Sequence, residues 1–128
     1  MNVRKTILFL LLLAGFPATA CAAEPLACNL GSLGRAERER QHVLSGKLER
    51  AAIRREELET GYAIVLDPAK LSISQLAEWV SLEARCCPFL DFGIELSSKD
   101  HSLTLRLTGH SREVKSFLEQ EVIRPGKP

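Results

Sequence analysis

Two runs of alternating apolar residues near the end of the chain constrain its fold more than any other feature. They cover residues 92–96 and 103–108, and the polar stretch 98–101 between them is typical of a turn. Successive side chains of a strand point to opposite faces, so each run has one apolar face. Two such strands joined by a short turn predict an antiparallel hairpin that is covered on one side only.

Similar patterns predict a second hairpin and three helices. In chain order, the predicted elements are a helix over 35–51, strands over 53–58 and 62–66, a helix over 72–87, strands over 92–96 and 103–108, and a helix that begins after Ser111. Residues 53–58 also fit a continued helix, but the turn at 59–61 favours a strand. The sequence therefore predicts an α+β fold. Its antiparallel sheet has about four strands with helices on one face, in the order helix-ββ-α-ββ-α.

The helix over 72–87 has the clearest signals. Ser72 and Gln75 have the spacing of a capping box, and Pro88 disfavours any continuation of the helix. The residues at helical spacing predict an inner face made of Ile73, Leu76, Ala77, Val80, Ala84 and Cys87.

The first 23 residues have the layout of a secretory signal peptide. A positive start at Arg4 and Lys5 precedes an apolar run over 7–14 and small residues at 18–20. The run is shorter than the ~20 residues of a spanning helix. Cys21 lies at the cleavage point, so lipidation there is an alternative to free secretion into the bacterial periplasm. The predicted domains are a signal peptide over 1–23, a lead over 24–34, one α+β domain over 35–123 and a tail over 124–128.

Charge and aromatic content argue against a nucleic-acid partner. The chain has 17 basic and 16 acidic residues, and removal of Arg4 and Lys5 with the leader brings it close to neutrality. One Trp and one Tyr offer little stacking surface for bases. A membrane contact is expected only through the signal peptide or a lipidated Cys21.

The pair Cys86-Cys87 concentrates sulfur at the end of a helix, with Glu83 one turn upstream. Thiol pKa values fall at helix N-termini or beside cations, whereas the negative end of the helix dipole and Glu83 both disfavour a thiolate here. A bound cation would reverse this preference. The pattern therefore favours metal capture over nucleophilic catalysis, and no Ser-His-Asp set or phosphate-binding loop supports a hydrolase.

Cys28 leaves two arrangements open. A bridge between Cys86 and Cys87 is unfavourable, since adjacent Cα atoms lie only ~3.8 Å apart, but Cys28 can bridge to either of them. Alternatively, Cys28, Cys86 and Cys87 converge as thiolates with Glu83 to bind mercury, arsenite, copper(I) or zinc. For zinc, the fourth ligand beside the three thiolates would be Glu83 or a histidine, although each histidine is more often solvated: His42, His101 and His110. The competing hypotheses are a disulfide-stapled interaction domain without a ligand and a small thiol-disulfide redox protein.

The cysteine segment also resembles a known group of proteins. Residues 83–92 read EARCCPFLDF, residues 103–109 read LTLRLTG, and Cys28-Asn29-Leu30 and Glu37-Arg38 lie upstream. Together they resemble small uncharacterised bacterial proteins and the extensions of some regulators in the mercury-resistance regulator (MerR) superfamily. The resemblance implies a common domain and hints at soft-metal binding, but it implies no established reaction. The signal peptide departs from the pattern of an intracellular regulator.

Overall fold

A computed structural model describes residues 26–123; the predicted signal peptide, Cys21 and the predicted tail lie outside this range. The elements are a 3-10 turn at Leu30–Ser32, α1 at Arg35–Ala51, β1 at Ala52–Leu58, β2 at Gly61–Leu66, α2 at Ile73–Cys86, β3 at Asp91–Ser97, β4 at Ser102–Thr108, α3 at Arg112–Leu118 and a π-helical turn at Glu119–Ile123. The predicted strands and the first two predicted helices are present within about two residues of their expected bounds. The helix predicted after Ser111 is α-helical only to Leu118 and continues as the π-helical turn.

The four strands form one antiparallel sheet in the order β1-β2-β4-β3. Each hairpin therefore stays intact, and the two join through β2 and β4. The register pairs Ile64 with Leu105, and Leu105 in turn with Ile94. Apolar side chains consequently line up across the sheet on one face.

Helices cover this apolar face, so the predicted α+β fold is confirmed. Residues of α1, α2 and α3 share one buried cluster with alternate residues of the two central strands. From the sheet, the cluster contains Tyr62, Ile64, Leu66, Leu103, Leu105 and Leu107. The period of two in the sequence had indicated one-sided burial, and β4 shows it. In β2, by contrast, every residue is buried, and in β3 the apolar Ile94 and Leu96 are exposed.

The edge strand β1 resolves the ambiguity of residues 53–58 in favour of a strand. The pairing register shifts between Ala52 and Arg54, so Ile53 lies at an irregularity and is 64% exposed. Charged residues then follow along the strand, which protects an exposed sheet edge from unwanted pairing.

The helix α2 starts as predicted but buries a different face. Ser72 caps it, with reciprocal hydrogen bonds between Ser72 and Gln75. The buried residues are Leu76, Trp79, Leu82 and Cys86. The predicted inner face is therefore wrong at Ile73, which is 43% exposed, and at Ala77 and Ala84, which are also exposed. Burial free energy grows with apolar area, so Leu76, Trp79 and Leu82 turn inward while Ala77 and Ala84 turn outward.

Within residues 26–123, no helix combines the length and the apolar content that crossing a bilayer requires.

Candidate thiol and metal site

The segment before α1 lies against the C-terminal end of α2. The Asn29 amide donates to the Cys86 carbonyl oxygen at 2.8 Å, and the Arg85 guanidinium donates to the Ser32 carbonyl oxygen at 2.9 Å. Leu33 is only 2% exposed and belongs to the core. These contacts bring Cys28 to the cysteine pair, although 55 residues separate Cys28 from Glu83 in the chain.

Cys28 and Cys87 form a disulfide that closes 59 residues of sequence, with their Cα atoms 4.7 Å apart. This separation falls within the ~4.4–6.8 Å that is usual for disulfides. Of the two possible partners for Cys28, the structure selects Cys87. Cys86 keeps a free thiol that is 1% exposed.

Backbone geometry explains why the two adjacent cysteines separate. Cys86 is the last residue of α2, and its side chain belongs to the buried face of the helix. Cys87 is the C-cap, with φ −122° and ψ 70°, so its backbone has already left the helix. The Cys86 sulfur lies 3.8 Å from the Ser32 hydroxyl oxygen, away from the disulfide partner of Cys87.

Glu83 lies between the disulfide and α1. Its Oε1 is 3.4 Å from Cys87 Sγ and 3.9 Å from Cys28 Sγ, and its Oε2 accepts a hydrogen bond from Gln41 Nε2 at 2.8 Å. Disulfide sulfurs carry no hydrogen, so the two sulfur contacts become hydrogen bonds only when the cysteines are reduced. Arg85, two residues further along α2, does not pair with Glu83 and instead pairs with Glu37 at 2.5 Å.

Burial raises the pKa of Glu83 above its usual value, and the hydrogen bond from Gln41 offsets only part of this effect. Desolvation penalises the charged carboxylate, and no cation in the described part of the chain pairs with Glu83 to offset this penalty. Glu83 therefore holds its proton to a higher pH than an exposed glutamate does. A group of this kind beside two sulfurs can deliver a proton to a thiolate or accept one from a thiol.

Three of the four predicted ligands come together. One ligand atom each from Cys28, Glu83 and Cys87 lies within 4.8 Å of the others, which is close enough to hold a metal ion. Cys86 is not part of this group. Such a donor set, two sulfurs and one carboxylate, suits a soft or borderline cation.

No histidine joins the group within the described residues. His110 instead contacts Asp91 at 2.9 Å, His101 occupies a turn with φ 47°, and His42 is exposed on α1. Gln41 is the contact that the sequence did not indicate. It comes from α1, and no spacing rule relates it to Glu83 on α2.

No family model matches the chain, and no curated protein or solved structure matches it significantly.

Proposed function

We propose that this protein is an exported domain that binds one soft metal or metalloid ion through Cys28 and Cys87, with Glu83 as the third ligand. The observation that carries this proposal is the convergence of these three ligand atoms within 4.8 Å from two distant parts of the chain. Copper(I) and mercury(II) suit two thiolates best, whereas arsenite and zinc would need a further ligand. The resemblance to extensions of mercury-resistance-type regulators agrees with a soft ion.

Ion binding requires the reduced pair, because two sulfurs that share a covalent bond cannot act as thiolate ligands. Binding also releases protons, since both thiols must be deprotonated. The negative end of α2 and the carboxylate of Glu83 disfavour free thiolates at this position. A cation that binds there neutralises this charge, so the site favours an occupied dithiolate over an empty one.

Titration of the reduced protein with copper(I), in competition with a chromophoric chelator, tests this function. We expect one ion per chain, and we expect Cys28→Ser or Cys87→Ser to weaken binding at least a hundredfold. Glu83→Gln should weaken binding less, by about tenfold, since the sulfurs remain. Cys86→Ala is the matched control, because it removes a sulfur from the same helix end but leaves the three grouped ligand atoms. Absence of a one-to-one complex would contradict the proposal. Loss of binding in Cys86→Ala would place the ion at the cysteine pair instead.

A disulfide-stapled interaction domain without a ligand is the second candidate function. It is favoured by the Cys28–Cys87 bond itself, which fixes the segment before α1 to the core. Both candidates contain the disulfide when the protein is purified under air, so ion titration after reduction separates them. A stapled domain takes up no ion even after its disulfide has been reduced.

Export is supported by the pattern of residues 1–23. Expression of the full chain in a bacterium, followed by mass spectrometry of the product, tests it. We expect an N-terminus at or near residue 24. An acyl-modified Cys21 would indicate a lipoprotein, and an intact Met1 would contradict export.

A further inference from the structure

A cleft of about 330 Å³ opens beside Glu83. Its walls come from α1, α2, the sheet and the π-helical turn, and its lining includes Gln41, Glu49, Arg55, Trp79, Glu83 and Glu121. Ligand pockets span ~300–1,000 Å³, so this volume fits a molecule about as large as an amino acid or a dipeptide. Glu83 is thus shared by the cleft and the thiol site.

Arg55 supplies an unused positive charge to this cleft. Its Nε is buried and has no hydrogen-bond partner within residues 26–123. Its neighbour Arg54, by contrast, pairs with Glu56 at 2.6 Å on the opposite face of β1. The buried Nε is itself out of reach of a ligand, but Arg55 lines the cleft and forms no ion pair among the described residues, so its other guanidinium nitrogens can receive an anionic group there. A carboxylate is the natural partner for a guanidinium.

Acidic residues surround the same cleft. Glu49 and Glu121 line the cleft and are exposed. Within the described part of the chain, neither of them forms an ion pair with Arg55. With Glu83, the lining carries three carboxyl groups and one guanidinium. A simple anion would be repelled by this charge. A molecule that carries both a carboxylate and an ammonium group matches it.

We propose that the cleft binds a small zwitterionic thiol of the cysteine class and that this thiol reduces the Cys28–Cys87 disulfide. Its carboxylate would contact Arg55, its ammonium would face Glu49 and Glu121, and its sulfur would point toward Glu83. Reduction frees the two sulfurs for an ion, so this role of the cleft rests on the proposed function and regulates the same site.

The exchange takes two steps. The thiolate of the first ligand attacks Cys28 Sγ, because Cys28 is partly exposed whereas Cys87 is 0% exposed. A mixed disulfide with Cys28 forms, and Cys87 leaves as a thiolate that takes up the proton lost by the attacking thiol. Glu83 Oε1 lies 3.4 Å from the Cys87 sulfur. A second thiol then attacks the ligand sulfur of the mixed disulfide and releases Cys28. Two thiols are oxidised to one small disulfide, the protein disulfide gains two electrons, and the two protons lost by the thiols end on Cys28 and Cys87.

Reduction kinetics of the oxidised wild-type protein test this role. The appearance of free protein thiols is followed by acid quench, alkylation and mass spectrometry, with L-cysteine or cysteamine as the reductant. Cysteamine lacks the carboxylate but keeps the amine. We expect the rate to saturate with L-cysteine, and we expect Arg55→Gln to slow L-cysteine at least tenfold while cysteamine changes less than twofold. Comparison of each variant with wild type for the same thiol cancels the intrinsic reactivity of that thiol.

Arg54→Gln is the matched control, since it removes the same charge from the neighbouring position on the other face of the strand. It should leave both rates unchanged. S-methyl-L-cysteine, which cannot reduce a disulfide, should inhibit reduction of the wild type by L-cysteine. This second measurement needs no variant and therefore stands even if Arg55→Gln does not fold.

The role of the cleft is overturned by a rate that stays linear in L-cysteine, by equal slowing of both thiols in Arg55→Gln, or by a lack of inhibition by S-methyl-L-cysteine. Failure of ion binding is detected separately. A phosphine reduces the disulfide without using the cleft, and copper(I) is titrated after its removal. Selective reduction without ion uptake would refute the ion site and leave the cleft as the site of a redox protein.

Discussion

Glu83 makes three contacts, and each depends on a different part of the structure. Its spacing to Cys87 is a property of the helix, its contact with Cys28 depends on the segment before α1, and its hydrogen bond from Gln41 depends on the packing of α1 against α2. The polar contact with Gln41 partly replaces the water that burial removes. This hydrogen bond lowers the free-energy cost of burying the carboxyl group, and the cost is smaller for the neutral form than for the charged form.

Substitution Glu83→Gln should stabilise the oxidised protein at neutral pH. Folding raises the pKa of Glu83, so the protonated carboxyl contributes to the free energy of unfolding. This contribution is fully present below the ordinary glutamate pKa of about 4.3 and is lost as the pH rises through the raised pKa of the folded state. Glutamine keeps an oxygen for Gln41 without the charge. Thermal unfolding between pH 3 and pH 8 should show equal stability at the acid end and a growing advantage of the variant toward neutrality. A wild type that is more stable at pH 7 would contradict this assignment.

Ser45 holds the only Trp of the chain by one hydrogen bond. Trp79 is 5% exposed, and its Nε1 donates to Ser45 Oγ at 2.9 Å. Ser45→Ala leaves this donor without its partner, so we expect the free energy of unfolding to fall by about 1–3 kcal/mol. Urea unfolding followed by Trp79 fluorescence measures it. Ser81→Ala is the control, because Ser81 is exposed and, among the described residues, its hydroxyl donates only to the carbonyl oxygen of Ala77 in its own helix, at 3.0 Å.

At Gly61, the start of β2 lies close against the backbone of β4. An added Cβ at this residue would meet the carbonyl oxygen of Leu107, whereas a Cβ at Gly93 would lie 3.5 Å from the nearest atom of Arg106. Backbone atoms of a central strand cannot move aside as a flexible side chain can. The start of β2 therefore requires glycine because of its neighbour across the sheet.

We expect Gly61→Ala to lower the free energy of unfolding by about 1–3 kcal/mol, as overpacking does in protein cores. Gly93→Ala tests the same change of residue on the same sheet, and it should alter stability by less than about 0.5 kcal/mol. Chemical denaturation of both variants measures the difference. Similar losses in the two variants would indicate that the loss comes from the strand environment rather than from contact with Leu107.

At the scale of the whole molecule, the disulfide joins the first described segment to the end of α2. A closed loop of 59 residues restricts the unfolded chain strongly. The chain-entropy model gives about 4 kcal/mol for such a loop, and measured values for native disulfides are about 2–5 kcal/mol. The hydrogen bonds of Asn29 and Arg85 hold the same segment but are weaker individually.

Reduction of the wild type should therefore lower its free energy of unfolding by about 2–4 kcal/mol. Cys28→Ser should show a similar loss and no further change when a reductant is added. Urea unfolding with and without a phosphine measures both. A variant that still responds to the reductant would mean that another disulfide contributes.

Local patterns in the sequence were sufficient for the elements and their order. The alternation over 92–96 and 103–108 predicted the C-terminal hairpin, and the Ser72–Gln75 spacing predicted the start of α2, because these signals involve residues only a few positions apart. The same patterns failed for the orientation of α2. Its apolar positions cover most of its circumference, so the sheet and α1 decided that Leu82 is buried and Ala84 is exposed.

The sequence by itself determined which sulfur and carboxyl groups are available and that Cys86, Cys87 and Glu83 share the end of one helix. Only the tertiary structure decided that Cys28 meets Cys87 rather than Cys86, and that Glu83 is buried next to both partners of the disulfide. The physical reason is the distance along the sequence between the residues that interact. Helix spacing is fixed by bonds between near neighbours, whereas the meeting of residues 59 positions apart depends on how the segment before α1 packs against a completed core.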